Sequence, residues 1–220
     1  MKVSQIESFE TPFYYYDLEL LRSTLSKVQK EITGFPYQVH YALKANCNPR
    51  ILEEIKSFGF GADCVSGNEV KLALETGFGK DHVVFAGVGK TDKELLLGLD
   101  EEIFAFNVES IQELEVLESL AQQKGKKARF ALRLNPNVDA GTHEYITTGK
   151  RNNKFGVTFE ELTASIGFIK GLKNLEFVGT HFHIGSQITD LNRFSELVGK
   201  VNTVQSYLEE QGFHLPHLNV

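Results

Sequence analysis

Residues 41–46, Tyr41-Ala42-Leu43-Lys44-Ala45-Asn46, combine the end of a short apolar strand with a lysine. Asn48-Pro49 follows at once and is typical of the first turn of a helix. The amine of Lys44 is thereby placed at the carboxyl end of a strand, the edge where α/β sheets and barrels carry out chemistry. Such an amine can form a Schiff base with an aldehyde when burial or neighbouring charge favours its neutral form. Position alone favours a simpler interpretation, a strand-end lysine whose ammonium group lies in water.

Strand and helix patterns alternate along the rest of the chain. Several strand-to-helix turns carry the Ser/Thr-x-x-Glu pattern of a capping box, beginning at Ser66, Thr91, Ser110 and Thr158. No strand is joined to the next by a two-residue hairpin turn, which indicates a parallel sheet with helical crossovers. We count about seven such strands, which predicts an α/β fold of the (β/α)8 TIM-barrel type, one strand short of closure. The alternative, an open doubly wound sheet, predicts a glycine-rich turn where the sequence has Leu43-Lys44-Ala45-Asn46.

The composition is that of an ordinary globular protein and argues against several classes of function. The formal net charge of -6 provides no basic surface for nucleic acid or for an anionic membrane. Cys47 and Cys64 lack the spacing of a metal site or of a disulfide framework, which favours a reducing compartment. The N-terminus has no apolar run that would predict a signal peptide or a membrane span. We therefore expect a cytoplasmic protein that binds neither nucleic acid nor membranes.

Polar side chains lie at the predicted carboxyl ends of several strands, which converge on one face of a barrel. They are Lys44, Asp63, Asn107, Arg133 and the run His181-Phe182-His183-Ile184-Gly185-Ser186-Gln187. Gly185-Ser186 forms a small, hydroxyl-bearing turn that suits a phosphate oxygen. Each residue also has an ordinary structural alternative, such as an Asp63 that only caps the helix at Ser66 or an Arg133 that only pairs with a carboxylate.

His181 and His183 lie on one strand, and we expect one imidazole to point into the barrel and the other away from it. As a His-x-His pair they also suggest a metal site. Barrel metal ligands of that kind sit on an early strand and have a matching downstream cluster, so we predict no metal site. The connection over residues 136–154 is unusually long for a link between a strand and its helix, which predicts a lid or binding loop.

Six runs of the sequence together resemble one known family. They span residues 41–46, 62–69, 85–91, 106–110, 134–139 with 153–156, and 181–187. They are similar to the alanine-racemase-like, or fold-type III, pyridoxal-phosphate enzymes, and within these to the diaminopimelate decarboxylases. The lysine run alone is shared with racemases and with ornithine or arginine decarboxylases. All six occur in order over nearly the whole chain, which makes a chance match implausible.

The resemblance implies a role for five residues. Lys44 would hold pyridoxal 5'-phosphate covalently and later handle the proton at the substrate carbon. His183 would stack on the pyridine face of the cofactor, and Ser186 would help to bind its phosphate. Asp63 and Arg133 would line the cofactor side of the pocket. The catalytic pair would thus be Lys44 and His183.

The resemblance also implies a two-part enzyme. Residues 1–16, with a strand predicted at 11–16, would join a C-terminal β-domain. Residues 17–220 would form the cofactor-binding barrel, incomplete at its C-terminus. The family's glycine-rich phosphate loop and its dimer contacts would follow Val220, so we expect a homodimer in the full-length enzyme and little activity in this part alone. The long loop, with His143 and Tyr145, would close near the substrate.

The implied function is decarboxylation of an amino-acid substrate, meso-diaminopimelate, to L-lysine, with pyridoxal phosphate as cofactor. Two alternatives remain open at this point. One is a single-domain protein that binds pyridoxal phosphate for homeostasis without catalysis. The other is alanine racemase or another fold-type III amino-acid decarboxylase, although the long loop and residues 153–156 resemble the diaminopimelate branch better.

Overall fold

The computed structural model describes residues 9–137, 155–186 and 188–220, and within them seven strands form one sheet. The strands are β1 His40–Ala42, β2 Gly61–Cys64, β3 Val83–Phe85, β4 Ala105–Val108, β5 Ala128–Leu134, β6 Leu175–Phe182 and β7 His217–Asn219. They lie side by side in chain order, and every neighbouring pair is parallel. This is the strand order of a (β/α)8 barrel with one strand fewer, as the sequence predicts.

A helix precedes the first strand, and one helix connects each strand to the next. The helices are α1 Leu18–Ile32, α2 Pro49–Ser57, α3 Gly67–Thr76, α4 Asp92–Glu101, α5 Ile111–Lys124, α6 Phe159–Gly171 and α7 Asn192–Glu210. Two single 3-10 turns, Leu43–Ala45 and Lys80–His82, lie beside β1 and β3. Parallel neighbours need such crossovers, so the alternation read from the sequence leads directly to this topology. No described helix is long and apolar enough to cross a membrane.

The helix starts follow the predicted caps, with one difference. Thr91 and Thr158 each form the complete capping box, in which threonine and glutamate exchange hydrogen bonds. Ser66 and Ser110 accept from the amide three residues on, as predicted. There, however, the glutamate accepts from the amide of the residue before the serine, at 2.7 Å and 3.0 Å. These carboxylates therefore fix the last residue of the strand-to-helix connection as well as the helix start.

The two faces of the sheet have different roles. One face packs against the helices and forms the apolar core, in which the largest fully buried side chains on the strands are Phe85, Phe106, Phe130, Leu132 and Phe182. Thr180 points to the opposite face of the sheet from its two neighbours in β6. It accepts a hydrogen bond from Gln205 of α7, which confirms that this face packs against the helices. The alternating residues turn inward, because side chains switch faces at every position of a strand. Register brings Asn107 beside Ala131 and Arg133 beside His181 on the inner face.

Residues 11–16, predicted as a strand, form none in the described structure, and the prediction that residues 1–16 join a second domain stays a prediction. A strand is stabilised by ladder hydrogen bonds, and no described strand lies alongside these residues to supply them. Their aromatic side chains are exposed, with Tyr14 at 89%. Glu102 adopts a left-handed conformation (φ 54°) that ends α4 before β4 begins.

Candidate functional site

Lys44 lies in the 3-10 turn that directly follows β1, at the carboxyl edge of the sheet. Leu43, fully buried, anchors this turn to the core. Asn48 then caps α2 by accepting from the amide of Arg50, with Pro49 in the first turn as predicted. The side chain of Lys44 is solvent-exposed, as an ordinary strand-end lysine would be. Its neighbours, rather than its exposure, distinguish it from such a lysine.

Asp63, on β2, is the first of these neighbours. Burial raises the pKa of its carboxyl to about 6, although the positive charges of Lys44 and Arg133 act in the opposite direction. Its Oδ1 is buried and has no hydrogen-bond partner in the described part of the chain. The alternative that Asp63 only caps the next helix is wrong, because Ser66 is that cap. Asp63 is therefore a polar group held at the strand ends without a structural partner.

Arg133, on β5, is the second neighbour and does have a partner. Its Nη1 donates to both carboxylate oxygens of Glu109, at 2.8 Å each, and the two side chains are 12% and 3% exposed. The carboxylate partner that the structural alternative for Arg133 expects is thus present. Pairing is not its only role in the site, since its charge also acts on Asp63 and on His183.

His181, on β6, and His183, one residue beyond its end, both lie near Arg133, which corrects the expectation that one of them points away from the barrel. Residues two apart on a strand share a face, and both imidazoles are close enough to Arg133 for its charge to lower their pKa. Burial is the larger cause in each case and lowers the pKa of His181 to about 3. His183 is more exposed, and the charge of Lys44 lowers its pKa further. Burial and the neighbouring cations therefore favour the neutral form of both imidazoles.

The structure thus brings Lys44, Asp63, Arg133 and His183 together at one edge of the sheet. Asn107 shares the inner face, with its buried Nδ2 unpartnered among the described residues. Ser186 lies exposed beyond β6, and no described hydrogen bond joins it to the other four residues. Gln187 lies outside the described residues. So do residues 138–154 of the predicted lid, which include His143 and Tyr145.

Sequence reasoning missed three charged residues beside this cluster. They are Lys90, Glu109 and Glu113, of which Lys90 and Glu113 form a buried ion pair at 2.7 Å. Glu113 reads in the sequence as an ordinary capping glutamate, and Lys90 as a surface lysine. The one available signal was Glu109 itself, a carboxylate between a buried strand and a helix cap in the run Phe106-Asn107-Val108-Glu109-Ser110.

A cavity of about 270 Å³ opens beside this cluster, between the start of α5 and α6. Glu109, Gly156 and Glu161 line it, but Lys44, Asp63 and His183 do not. The predicted site is therefore the open mouth of the barrel and not this cavity.

Comparison with known families identifies the domain. The family described as pyridoxal-dependent decarboxylase, pyridoxal binding domain, matches residues 18–220. The chain belongs to this family. Among curated relatives of this decarboxylase family, it is 48% identical over 219 residues to a diaminopimelate decarboxylase of Bacteroides thetaiotaomicron, covering 99% of this chain and 57% of the relative. It is 44% identical over 215 residues to the Aquifex aeolicus enzyme of that name, covering 97% and 50%.

A solved structure of the decarboxylase family shares the fold. The diaminopimelate decarboxylase of Helicobacter pylori, complexed with L-lysine, superposes with a TM-score of 0.90 at 40% identity, over 98% of this chain and 55% of that one. This superposition confirms the predicted barrel fold. The chain spans about half the length of the decarboxylases it matches.

The barrel mouth fits the pyridoxal cofactor that gives the decarboxylase family its name. The cofactor is an aldehyde with a phosphate group and a ring nitrogen, so it needs an amine, cations and polar partners. Lys44 supplies the amine and Arg133 a cation. Asp63 Oδ1, Asn107 Nδ2 and His181 Nδ1 are buried polar atoms without a partner in the described residues. Such atoms are costly to leave unsatisfied and are typical of a ligand site.

Proposed function

We propose that the protein containing this chain is a pyridoxal-phosphate-dependent diaminopimelate decarboxylase, which converts meso-diaminopimelate to L-lysine and carbon dioxide. The observation that carries the proposal is the meeting of Lys44, Asp63, Arg133 and His183 at the carboxyl ends of four different strands. Relatives at 48% and 44% identity bear the same name, and the H. pylori relative binds L-lysine. These relatives are decarboxylases about twice as long as this chain, which does not favour a single-domain carrier.

Each predicted site residue has a role in this proposal. When bound, the cofactor supplies the electron sink that stabilises negative charge on the substrate α-carbon after carbon dioxide leaves. Lys44 Nζ binds the cofactor aldehyde and then carries a proton to the α-carbon. The neutral imidazole of His183 offers a flat face for stacking on the pyridine ring. Ser186, in the small turn after β6, donates its hydroxyl to the phosphate.

Asp63 and Arg133 line the cofactor side of the pocket and set its charge. A carboxyl with a pKa of about 6 is largely ionised at neutral pH, but it takes up a proton at modest energetic cost. Arg133 keeps its positive charge throughout and offers donors to an anionic group, while Glu109 holds Nη1. The pair therefore presents both a titratable acceptor and a fixed cation to the ligand.

The whole protein acts, in this proposal, as a cytoplasmic homodimer in which residues 1–16 join a second, β-rich domain. The exposed aromatic side chains of Tyr14, Tyr15 and Tyr16 support a contact with such a domain, because large apolar groups clustered on a surface are typical of interfaces. Cys47 and Cys64 are both free thiols, which supports a reducing compartment. The net charge of -6 argues against nucleic acid as a partner.

The test is turnover by the full-length protein. With pyridoxal phosphate and meso-diaminopimelate, it should release carbon dioxide and form L-lysine, and K44A should abolish both. Ornithine, arginine and alanine serve as competing substrates. Binding of the cofactor without carbon dioxide release would favour the carrier. Release from ornithine or arginine but not from meso-diaminopimelate would overturn the substrate assignment.

A further inference from the structure

Glu109 is buried (6% exposed) and contacts the connection after β3, strand β5 and helix α5. Its Oε1 accepts from the amide of Gly87 at 3.0 Å, in the connection after β3. Both of its oxygens accept from Arg133 on β5, and its own amide donates to Glu113 Oε2 at 3.0 Å. Its described hydrogen bonds join Gly87, Arg133 and Glu113, so Glu109 ties together several parts of the framework around the site.

Lys90 also stabilises the region around Glu109. Its ammonium donates to Glu113 Oε1 at 2.7 Å and to the carbonyls of Gly87 and Asn107 at 2.8 Å and 2.9 Å. These are three acceptors for three protons, so the ammonium is fully satisfied although its side chain is only 1% exposed. The charge alternates from Lys90 to Glu113 and from Glu109 to Arg133, so each buried ion has an opposite neighbour.

Residues 155–157 also contact Arg133 and hold it in place. The Phe155 ring lies under its guanidinium, with 5.6 Å between Cζ and the ring centroid. The amide of Val157 donates to the carbonyl of Arg133 at 2.8 Å. Gly156, at φ +94°, allows this close approach, since a Cβ there would lie 3.2 Å from Arg133 Cγ. The guanidinium therefore has one fixed position, set by Glu109 on one side and by residues 155–157 on the other.

We propose that Glu109 is a positioning residue of the decarboxylase site: it orients Arg133 and offsets its charge, and so sets the charge that Lys44, Asp63 and His183 experience. This inference deepens the proposed function and rests on it for the identity of the ligand, an anionic pyridoxal cofactor. In this proposal Glu109 acts through Arg133 and not by contact with cofactor or substrate, because the charge of Arg133 acts on Asp63 and His183.

The charges around His183 show how this influence can be measured. Arg133 and Lys44 lower the pKa of His183, and Glu109 raises it. His181, beside His183, is neutral over the range of interest because its own pKa is about 3, whereas Asp63, in the same cluster, has a pKa of about 6 and titrates within that range. Removing the negative charge of Glu109 while keeping its shape should therefore lower the pKa of His183. Removing the charge of Arg133 should raise it.

The experiment is an NMR titration of the histidine ring signals in the chain without cofactor or substrate. We expect E109Q to lower the pKa of His183 by about half a unit, the order expected for a partly screened charge. E109D keeps the charge and should remain near wild type. The double variant E109Q/R133Q, which leaves no unpaired buried charge, should return the pKa to within a few tenths of a unit of wild type. If E109Q fails to fold, R133Q carries the test, because loss of the Arg133 charge should raise the pKa of His183.

The matched control is E118Q. Glu118, on α5, is likewise a carboxylate that accepts backbone hydrogen bonds, but from the amides of Lys173 and Asn174, which precede the start of β6, at the opposite end of that strand from His183. It should leave the pKa of His183 unchanged. Equal pKa values in wild type, E109Q and the double variant would overturn the inference. Because no cofactor or substrate is present, that outcome is separate from a failure of the decarboxylase assignment, which the turnover assay measures.

Discussion

Replacing Lys90 with methionine tests the buried charge framework behind the site. Methionine keeps the length and apolar body of lysine but removes the ammonium group. The Glu113 side chain is only 10% exposed, and its carboxylate loses the Lys90 ammonium that lies 2.7 Å away. The carbonyls of Gly87 and Asn107 also lose their donor. Breaking a buried ion pair from one side costs about 3–5 kcal/mol, because the remaining charge stays buried and uncompensated.

For a chain of this size, 1 kcal/mol changes the melting temperature by about 2–4 °C, so K90M should melt roughly 6–20 °C lower. Urea unfolding followed by far-UV circular dichroism gives the free energy of unfolding directly. K90M/E113Q should recover much of the loss, since it leaves no charge alone. The control is K80M, which removes an ion pair whose side chains are 49% and 57% exposed and should leave the urea midpoint unchanged. A K90M protein within about 1 kcal/mol of wild type would refute the reasoning.

Three further predictions concern residues at or beside the barrel mouth. The pKa of Asp63 is about 6 in the folded protein and lies above its value in the unfolded chain. The contribution of Asp63 to stability is therefore complete below about pH 4 and is lost as the pH rises through about 6. In urea titrations, the free energy of unfolding of D63N minus that of wild type should therefore be larger at about pH 8 than at about pH 3, by on the order of 3 kcal/mol. The pKa of His181 is lowered to about 3, so wild type should lose on the order of 2 kcal/mol between about pH 7 and pH 5 through this residue, and H181N should not. G156A should be destabilised in thermal melts, by roughly 1–3 kcal/mol, because its φ of +94° disfavours a side chain and a Cβ would lie 3.0 Å from the carbonyl oxygen of Arg133.

Local signals in the sequence were enough to predict the architecture. Capping residues such as Thr91 and Thr158 mark helix starts, and alternation of strands with helices leaves a parallel sheet as the simplest result. The strand-exit residues Lys44, Asp63 and Arg133 could be predicted because the carboxyl ends of all the strands meet on one face. These inferences need only short-range patterns and one rule of topology.

The errors arose where partners distant in sequence decide the outcome. The strand predicted over residues 11–16 has suitable strand formers but no described neighbour to pair with. Glu109 and Arg133 are 24 residues apart, and no local sequence pattern around either residue predicts that they pair. Glu113 resembles a simple cap until the fold brings Lys90 beside it. Such contacts become visible only when the sheet is assembled.

The central claim is that Lys44 binds the aldehyde of pyridoxal phosphate. Reduction with borohydride traps an imine as a stable amine, and peptide mass spectrometry then locates it. We predict a pyridoxyl group on the peptide that contains Lys44, its absence in K44A, and its retention in K71A, which removes a lysine whose side chain is 65% exposed on α3. Labelling of other lysines with Lys44 unmodified, or equal labelling of K44A and wild type, would contradict the claim.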